Sequence, residues 1–421
     1  MAAVNARGAR RLRRGWVGAV VVVGLALTGC SGGGSDSGDG SGGKPAGKAA
    51  PQDPGSAAPA AAPAAVLTIT PGDGGVLAPG EPVTVKVEGG KIGAVTVTGE
   101  DGSEIAGDTA DDLASWRSTG ALHTATRYTV KASATNTAGQ QAQATAAFRT
   151  EQADKKVRYQ VNVADGRQIG VGLPISVVFD SPVKNRAAVE KALSVVADTP
   201  VTGAWRWVKD RNLNDGQRID FRPKDYWKPG TEITFKADLD GVDIGDGRFT
   251  IRDSEAKVTV ARSLVATVDV KTHQMTVVED GKPDTVIPIT AGAPGMDTWN
   301  GTMVVMDRNS SVLMDGQTVG YGGQYRDYYN WALHTTASGT YVHENASANV
   351  NAGKKNVTHG CVGLANDGTA KKFYDRVIVG DVIKVVNSAS ETVDVGNGYG
   401  DWNLSWEQWT SGNAAVAAAA G

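Results

Sequence analysis

Residues 341–364, YVHENASANVNAGKKNVTHGCVGL, concentrate the residue types that perform nucleophilic chemistry. The stretch holds His343 and His359, two of the five histidines in 421 residues, and Cys361, one of two cysteines. A thiol attacks as the thiolate, and its ordinary pKa of about 8.5 means that a partner must take its proton. An imidazole is the usual partner. We therefore predict that Cys361 is a nucleophile and that His343 is its general base.

The elements around these residues have to bring them together. His343 ends a short strand pattern, TYVH, on the face opposite Val342, and a polar stretch of fifteen residues follows it. A loop of this length can return the chain so that Cys361 faces His343. Gly360 and Gly363 allow the backbone to bend sharply. The N–H groups of Gly360 and Cys361 could then point at one oxyanion, as acyl transfer requires.

The other cysteine, Cys30, belongs to an N-terminal export pattern. A basic segment without acids and an apolar run precede LTGC at residues 27–30. The run has about a dozen residues, fewer than the about 20 of a membrane span. Small residues before Cys30 resemble a bacterial lipobox, which implies lipidation of its thiol. The alternative is an ordinary secretory signal. A lipidated Cys30 leaves Cys361 as the only thiol, typical of a reactive or intermolecularly paired cysteine.

The rest of the chain predicts a mainly β fold. Short runs of alternating apolar and polar residues, separated by turn clusters, favour two tandem immunoglobulin-like β-sandwiches. A mostly β catalytic domain and a Trp-rich C-terminal extension follow them. The net charge of −3 gives no indication of a nucleic-acid partner. The predicted units are a signal peptide (1–29), a lipidated cysteine with a disordered Gly/Ser/Ala/Pro tether (30–64), the sandwiches (65–150 and 151–253), the catalytic domain (254–388) and the extension (389–421).

Helical periodicity appears in two places within this β pattern. Residues 185–195 predict a helix with Val189, Leu193 and Val196 on one face, and residues 366–377 predict a helix after the cysteine.

Three tryptophans in the extension also have helical spacing, namely Trp402, Trp406 and Trp409. Such a stripe is typical of an apolar face packed on a neighbouring element. A surface on which glycans stack is the functional alternative.

The spacing of His343 and THGC resembles the catalytic domain of L,D-transpeptidases, enzymes of bacterial cell-wall synthesis. The family pattern is His, a spacer, Ser or Thr, His-Gly-Cys, an apolar residue and then Asn. The matching residues are His343, Thr358, His359, Gly360, Cys361 and Val362. Gly363 stands at the Asn position. Glu344 stands where actinobacterial relatives often have Ser, a change of little effect if this position acts through its backbone carbonyl.

Two upstream segments strengthen this resemblance. Tyr325, in GGQYRDYYNW, falls at the position of an active-site tyrosine. Met314, in VLMDG at 312–316, falls at the apolar contact of a flap over the substrate cleft. The layout of lipoprotein signal, two immunoglobulin-like domains, catalytic domain and Trp-rich piece also resembles actinobacterial members.

The resemblance implies a specific reaction on two peptidoglycan stem peptides. Cys361 attacks the third-residue carbonyl of a tetrapeptide stem and releases the terminal D-Ala. The thioester then passes to the side-chain amine of a diamino acid on a second stem, with His343 or His359 as base. Tyr325, Met314, Thr358 and Glu344 would contact substrate. No metal or nucleotide cofactor is implied. Carbapenem β-lactams would be covalent inhibitors, and the enzyme would be anchored at the outer face of the cytoplasmic membrane.

Other interpretations of the same residues remain open at this point. Cys361 could be a buried, inert cysteine, or it could join His343, His359 and either His334 or Glu344 around zinc. A different cysteine acyltransferase or an L,D-carboxypeptidase would use the same nucleophile. The chain could also be a lipoprotein that binds the cell wall or acts as a spacer, in which case Cys361, His343 and His359 would have no catalytic role. The two sandwiches are expected to act as plain spacers.

Overall fold

Strands dominate the computed structural model, which describes residues 63–319 and 322–412. The mainly β prediction is confirmed. The predictions for the signal peptide, for Cys30 and for almost all of the tether fall on residues 1–62, outside the described residues. Within the described ranges, no helix is long and apolar enough to cross a membrane.

The first sandwich packs two four-stranded sheets around Val85, Trp116 and Val130. Its strands are β1 (Val66–Thr70), β2 (Gly75–Leu77), β3 (Thr84–Glu88), β4 (Gly90–Gly99), β5 (Gly107–Thr109), β6 (Ser115–Ser118), β7 (Arg127–Asn136) and β8 (Gln141–Thr150). One sheet has the order β1–β3–β6–β5 and the other β2–β8–β7–β4. Val85 and Val130 alternate with exposed or half-buried residues along their strands, so the period-two pattern in the sequence reports one buried face.

The second sandwich also has two four-stranded sheets, β10–β12–β15–β14 and β11–β18–β16–β13, with β9 and β17 paired beside them. Its elements are β9 (Lys155–Val157), β10 (Tyr159–Val161), β11 (Gln168–Ile169), β12 (Ile175–Phe179), α1 (Arg186–Ala192), β13 (Leu193–Ala197), β14 (Gly203–Val208), β15 (Arg218–Pro223), β16 (Glu232–Ala237), β17 (Arg248–Thr250) and β18 (Ser254–Val260). The predicted domain boundary at 253/254 is wrong for β18. This strand pairs with β16 over six residue pairs, so it belongs to the sandwich.

The helix predicted over 185–195 is shorter than expected. The Asn185 side chain caps α1, and the chain turns into strand β13 at Leu193. Val189 and Leu193 are buried as predicted, but Val196 is 62% exposed on the strand. The β-branched pair at 195–196 favours a strand over a further helical turn.

The catalytic domain contains a five-stranded sheet, β21–β20–β19–β27–β22, and a four-stranded sheet, β23–β24–β25–β26. Its elements are β19 (Leu264–Asp269), β20 (Gln274–Glu279), β21 (Lys282–Pro288), β22 (Gly301–Val304), β23 (Asp307–Asp315), β24 (Arg326–His334), β25 (Tyr341–Glu344), α2 (Ala348–Asn351), β26 (Val362–Leu364), α3 (Thr369–Arg376) and β27 (Val382–Val386). A 3₁₀ turn, Gly316–Val319, follows β23. The helix predicted over 366–377 is α3, which buries Phe373 in the core between the sheets.

The second sandwich and the catalytic domain share one apolar core. Val304 of β22 and Val382 of β27 are fully buried in the same cluster as Leu173 and Ile175 of the sandwich. The backbones touch at this junction, where Gly170 donates to Val379 and Gly172 donates to Gly380. A Cβ on Gly170 would lie 2.2 Å from the Asp381 nitrogen, so this close approach requires glycine.

The tryptophans of the extension do not form one helix. Trp402 lies in a 3₁₀ turn (Asp401–Asn403), and Ser405 starts a separate helix, α4 (Trp406–Thr410), with a capping box to its third residue. The prediction that the stripe packs on a neighbour is confirmed. The Arg222 guanidinium of the second sandwich lies 4.8 Å from the ring centres of both Trp402 and Trp409. Trp409 is fully buried.

Candidate active site

Parallel pairing of β25 with β26 brings Cys361 to His343. Val342 pairs with Val362, and His343 pairs with Gly363. Side chains two residues apart share a face, so Cys361, just before β26, lies diagonally opposite His343 on the neighbouring strand. Val342 points into the core on the other face and is 1% exposed. The polar stretch after His343, which contains α2, returns the chain as expected.

The His343 imidazole has a fixed tautomer. Its Nδ1 lies 2.6 Å from the Glu344 carbonyl oxygen, which can only accept, so Nδ1 carries the proton. Nε2 is therefore left with a lone pair that can take a proton. Because position 344 acts here through its backbone, the Glu side chain in place of Ser does not alter this contact. The ring is 3% exposed, and burial lowers the pKa of His343 to about 4.

Cys361 occupies a half-buried position. Burial raises the pKa of Cys361 to about 11, a shift that the backbone N–H of Tyr341 partly opposes. The Sγ atom lies 3.8 Å from the Gly339 carbonyl oxygen and donates to it. With one pKa near 4 and the other near 11, the resting pair at neutral pH is a neutral thiol and a neutral imidazole. A thiol in this state needs a base during attack.

The turn before the thiol depends on Gly360 and Thr358. Gly360 has φ 110°, a conformation that L side chains rarely adopt. The Thr358 hydroxyl donates to the Cys361 carbonyl at 2.6 Å and accepts from the Gly360 N–H at 3.3 Å. The Cys361 N–H has no hydrogen-bond acceptor among the described residues. Beside the thiol, the turn therefore presents the Cys361 N–H, which has no acceptor among the described residues, and the Gly360 N–H, whose hydrogen bond is long.

Gly363, which stands at the Asn position of the family pattern, has little room around it. It exchanges backbone hydrogen bonds with Thr290, at 2.7 and 3.1 Å. A Cβ on Gly363 would lie 2.9 Å from the Thr290 methyl group and 3.0 Å from the Cβ of Asn345. Asn345 lines the cavity at the thiol, so an amide side chain is present there, although it comes from the residue that follows β25.

A cavity of about 200 Å³ opens at Cys361 and His343. The predicted residues Met314, Tyr325, Thr358 and His359 line it. Met314 comes from the hairpin of β23 and β24 and is 9% exposed; its contact with substrate as part of a flap stays a prediction.

An aromatic series runs along this cavity from one histidine to the other. The His359 ring lies 4.9 Å from Tyr325, Tyr325 lies 6.5 Å from Tyr329, and Tyr329 packs edge-on against His343 at 4.7 Å. The His359 Nε2 is 3.0 Å from the Gln324 side-chain oxygen. These contacts tie His359 to the segment that carries Tyr325.

A second cavity, of about 700 Å³, adjoins the same site. Tyr325 and His359 line both cavities, and the Gly339–Tyr341 segment faces this one. Arg211, from the second sandwich, also lines it.

Sequence reasoning missed Tyr329, Asn345 and Arg211. Tyr329 follows Tyr325 by four residues in a strand pattern, so its side chain shares a face with that of Tyr325. That spacing could have placed it beside the site. Nothing near Arg211 in the sequence indicates the catalytic cavity, because its position depends on how two domains pack.

The ligand types considered for zinc do not gather in the described part of the chain. No group of three His, Cys, Asp or Glu side chains there could hold a metal ion. His334, one of the two extra ligands considered, the other being Glu344, is paired with Asp307 at 2.8 Å.

The sequence matches two protein families. The bacterial Ig domain family matches residues 75–243, and the L,D-transpeptidase catalytic domain family matches residues 263–386. The second match begins after β18, in agreement with the corrected boundary.

Two relatives match over most of the chain. L,D-transpeptidase 2 of Mycobacterium tuberculosis is 33% identical over 354 residues, which are 83% of this chain and 85% of that protein. L,D-transpeptidase 5 of the same species is 30% identical over 83% of this chain and 77% of its own length. A solved L,D-transpeptidase in complex with imipenem is 28% identical, with a TM-score of 0.47, over 55% of this chain and 99% of that one.

Proposed function

The chain belongs to the L,D-transpeptidase family, and on that premise we propose that it cross-links peptidoglycan stem peptides through a thioester on Cys361. The observation that carries the proposal is the Cys361 thiol in one cavity with an imidazole whose Nδ1 is held by the Glu344 carbonyl, so that Nε2 is left to accept a proton. This arrangement suits a thiol that attacks as its proton leaves.

In the acylation step, Sγ of Cys361 bonds to the third-residue carbonyl carbon of a tetrapeptide stem. The thiol proton passes to Nε2 of His343, and the carbonyl becomes an oxyanion. The N–H groups of Cys361 and Gly360 donate to this oxyanion, and the Tyr325 hydroxyl lies in the same cavity. The bond to the terminal D-Ala then breaks, and His343 returns the proton to its amine. The product is an acyl-enzyme thioester and free D-Ala.

In the transfer step, the side-chain amine of a diamino acid on a second stem attacks the thioester carbonyl. His343 takes a proton from the amine and returns it to the leaving thiolate, which restores the resting pair. No metal or nucleotide enters this balance, because the thioester retains the acyl group in activated form. His359 has a positioning role through its contact with the Tyr325 ring.

The N-terminal sequence pattern supports a proposal for where in the cell this activity takes place. Export and lipidation at Cys30 would hold the enzyme at the outer face of the cytoplasmic membrane, with residues 31–64 as the tether. Labelling of cells with a fatty-acid analogue, followed by comparison of the wild type with Cys30→Ala, tests this part.

The experiment for the enzymatic proposal uses the mature protein and a carbapenem. We expect a one-to-one covalent adduct by intact mass spectrometry, and no adduct for Cys361→Ala. Incubation with purified tetrapeptide muropeptides should release D-Ala and give dimers joined between two diamino acids. Free tripeptide without dimers would instead identify a carboxypeptidase. A wild type with a titratable free thiol that forms no adduct would favour the non-catalytic spacer.

A further inference from the structure

The second cavity at the active site is built from two domains. Its catalytic side is formed by Tyr325, Gly339, His359 and Gly360. Its other side includes Arg211, from the loop between β14 and β15 of the second sandwich. A sandwich that only spaced the catalytic domain from the membrane would have no reason to reach this cavity.

The loop that carries Arg211 is held firmly at its backbone. Asp210 forms an ion pair with Arg218 at 2.8 Å, and Arg218 is 3% exposed. Asp210 also accepts from the Asn212 N–H at 2.8 Å. The Arg211 N–H donates to the Gly396 carbonyl at 3.0 Å, which ties the loop to the C-terminal part of the chain. The start of the Arg211 side chain is thus fixed, while the side chain itself is exposed.

The charge of Arg211 is not neutralised within the described part of the protein, where it forms no ion pair. Among the residues that the structure describes, it is also the only Lys or Arg that lines either cavity. Asp297 is the only carboxylate in the described lining of the second cavity, and His334 is already paired with Asp307, which does not line it. A tetrapeptide stem carries free carboxylates, and a planar guanidinium binds a carboxylate through two parallel hydrogen bonds.

We propose that Arg211 binds a carboxylate of a stem peptide, so that the second sandwich completes the substrate site of the catalytic domain. This inference rests on the proposed transpeptidase function. The carboxylate belongs either to the terminal D-Ala of the donor stem or to the diamino acid of the acceptor stem. Both sources present the same group to the guanidinium.

The test compares Arg211→Gln and Arg211→Lys with the wild type, and Lys209→Gln is the matched control. Lys209 is an exposed cation two residues away that does not line this cavity. In the donor arm, D-Ala or D-Ala amide release is measured from tetrapeptides with a free or an amidated terminal carboxylate. In the acceptor arm, dimer formation is measured with acceptors whose diamino acid carboxylate is free or amidated.

We expect Arg211→Gln to raise KM in one arm by about tenfold to a hundredfold, the effect of losing a charge-assisted hydrogen bond, with kcat little changed. Arg211→Lys should recover part of this loss, and Lys209→Gln should match the wild type. Amidation should weaken the wild type in the same arm but have no further effect on Arg211→Gln, since the two changes remove one interaction.

Two results would overturn the inference about Arg211, and only one of them would also overturn the proposed transpeptidase function. An active wild type whose KM is unchanged by Arg211→Gln in both arms removes the role of Arg211 alone. A wild type that releases no D-Ala and forms no dimer removes the proposed function together with this inference.

Discussion

Replacement of His343 by Ala gives the sharpest test of the neutral thiol–imidazole pair. With a thiol pKa of about 11, the thiolate fraction at pH 7 is on the order of 10⁻⁴, against about 3% for an ordinary cysteine. Without its base, Cys361 can react only through that small fraction. Reaction of His343→Ala with a carbapenem should therefore be slower than that of the wild type by orders of magnitude at pH 7.

The same values predict how the rates depend on pH. The thiolate fraction of His343→Ala rises about tenfold for each pH unit below the thiol pKa, so its reaction rate should do the same from about pH 7 to 10. In the wild type, the pKa of His343 is about 4, so the base is already deprotonated across the neutral range. Its acylation rate should be nearly constant between about pH 5.5 and 8.

Two measurements separate the two parts of this prediction. Intact mass spectrometry at short times follows carbapenem adducts, and iodoacetamide reports the reactivity of the thiolate at alkaline pH without a labile β-lactam. Cys361→Ala controls for reaction elsewhere. Equal rates for His343→Ala and wild type at pH 7 would refute the base role. A rate for His343→Ala that levels off by about pH 9 would refute the raised thiol pKa.

Two further predictions concern the turn at the thiol and the junction of the sandwiches. Gly360→Ala places a side chain at φ 110°, which costs about 1–3 kcal/mol of backbone strain, and it should slow carbapenem acylation at least tenfold. Gly323→Ala is the control and should not slow acylation, because a Cβ there meets nothing within 4 Å. Unimpaired acylation of Gly360→Ala would show that the turn tolerates the change. Asp253, bonded to His123 at 3.1 Å, raises the pKa of His123 above its ordinary value of 6.5. The imidazolium thus stabilises the fold below about pH 6.5, and this contribution disappears as pH rises through the raised pKa. The melting temperature of His123→Asn should fall furthest below the wild type near pH 6 and approach it near pH 9, and a difference independent of pH would contradict the ion pair.

The sequence predicts features that depend on local patterns. The alternation of apolar and polar residues predicts the two sandwiches. The interval between His343 and Cys361 predicts that the chain returns to the same place, because a connection between parallel strands needs about this length. The requirement for glycine at position 360 also follows from the turn. The break in the tryptophan stripe was not predicted, although Ser405 with Gln408 three residues later is a capping signal that could have placed the start of α4.

Features that depend on tertiary contacts were not predictable in this way. The apolar run before residue 261 has the same pattern whether it belongs to a sandwich or to the catalytic domain, and only its pairing with β16 decides. Val196 has the right spacing for a helix face, but β13 gains a full ladder with β16 instead. Arg211 and Asn345 reach the site through packing, which a residue pattern does not encode.

Because the second sandwich and the catalytic domain share the core that contains Val304 and Val382, the two domains are expected to unfold cooperatively. If the catalytic domain opened alone, both valines and the sandwich residues against them would be exposed to water, at about 25 cal/mol for each Å² of apolar surface. Partial unfolding at this junction is therefore costly, and the two domains should lose structure in one transition. The second sandwich and the catalytic domain are separate units by sequence and topology, but they are expected to behave as one unit in unfolding. Evolution of either domain is constrained by the other, since a substitution at the junction changes the folding free energy of both.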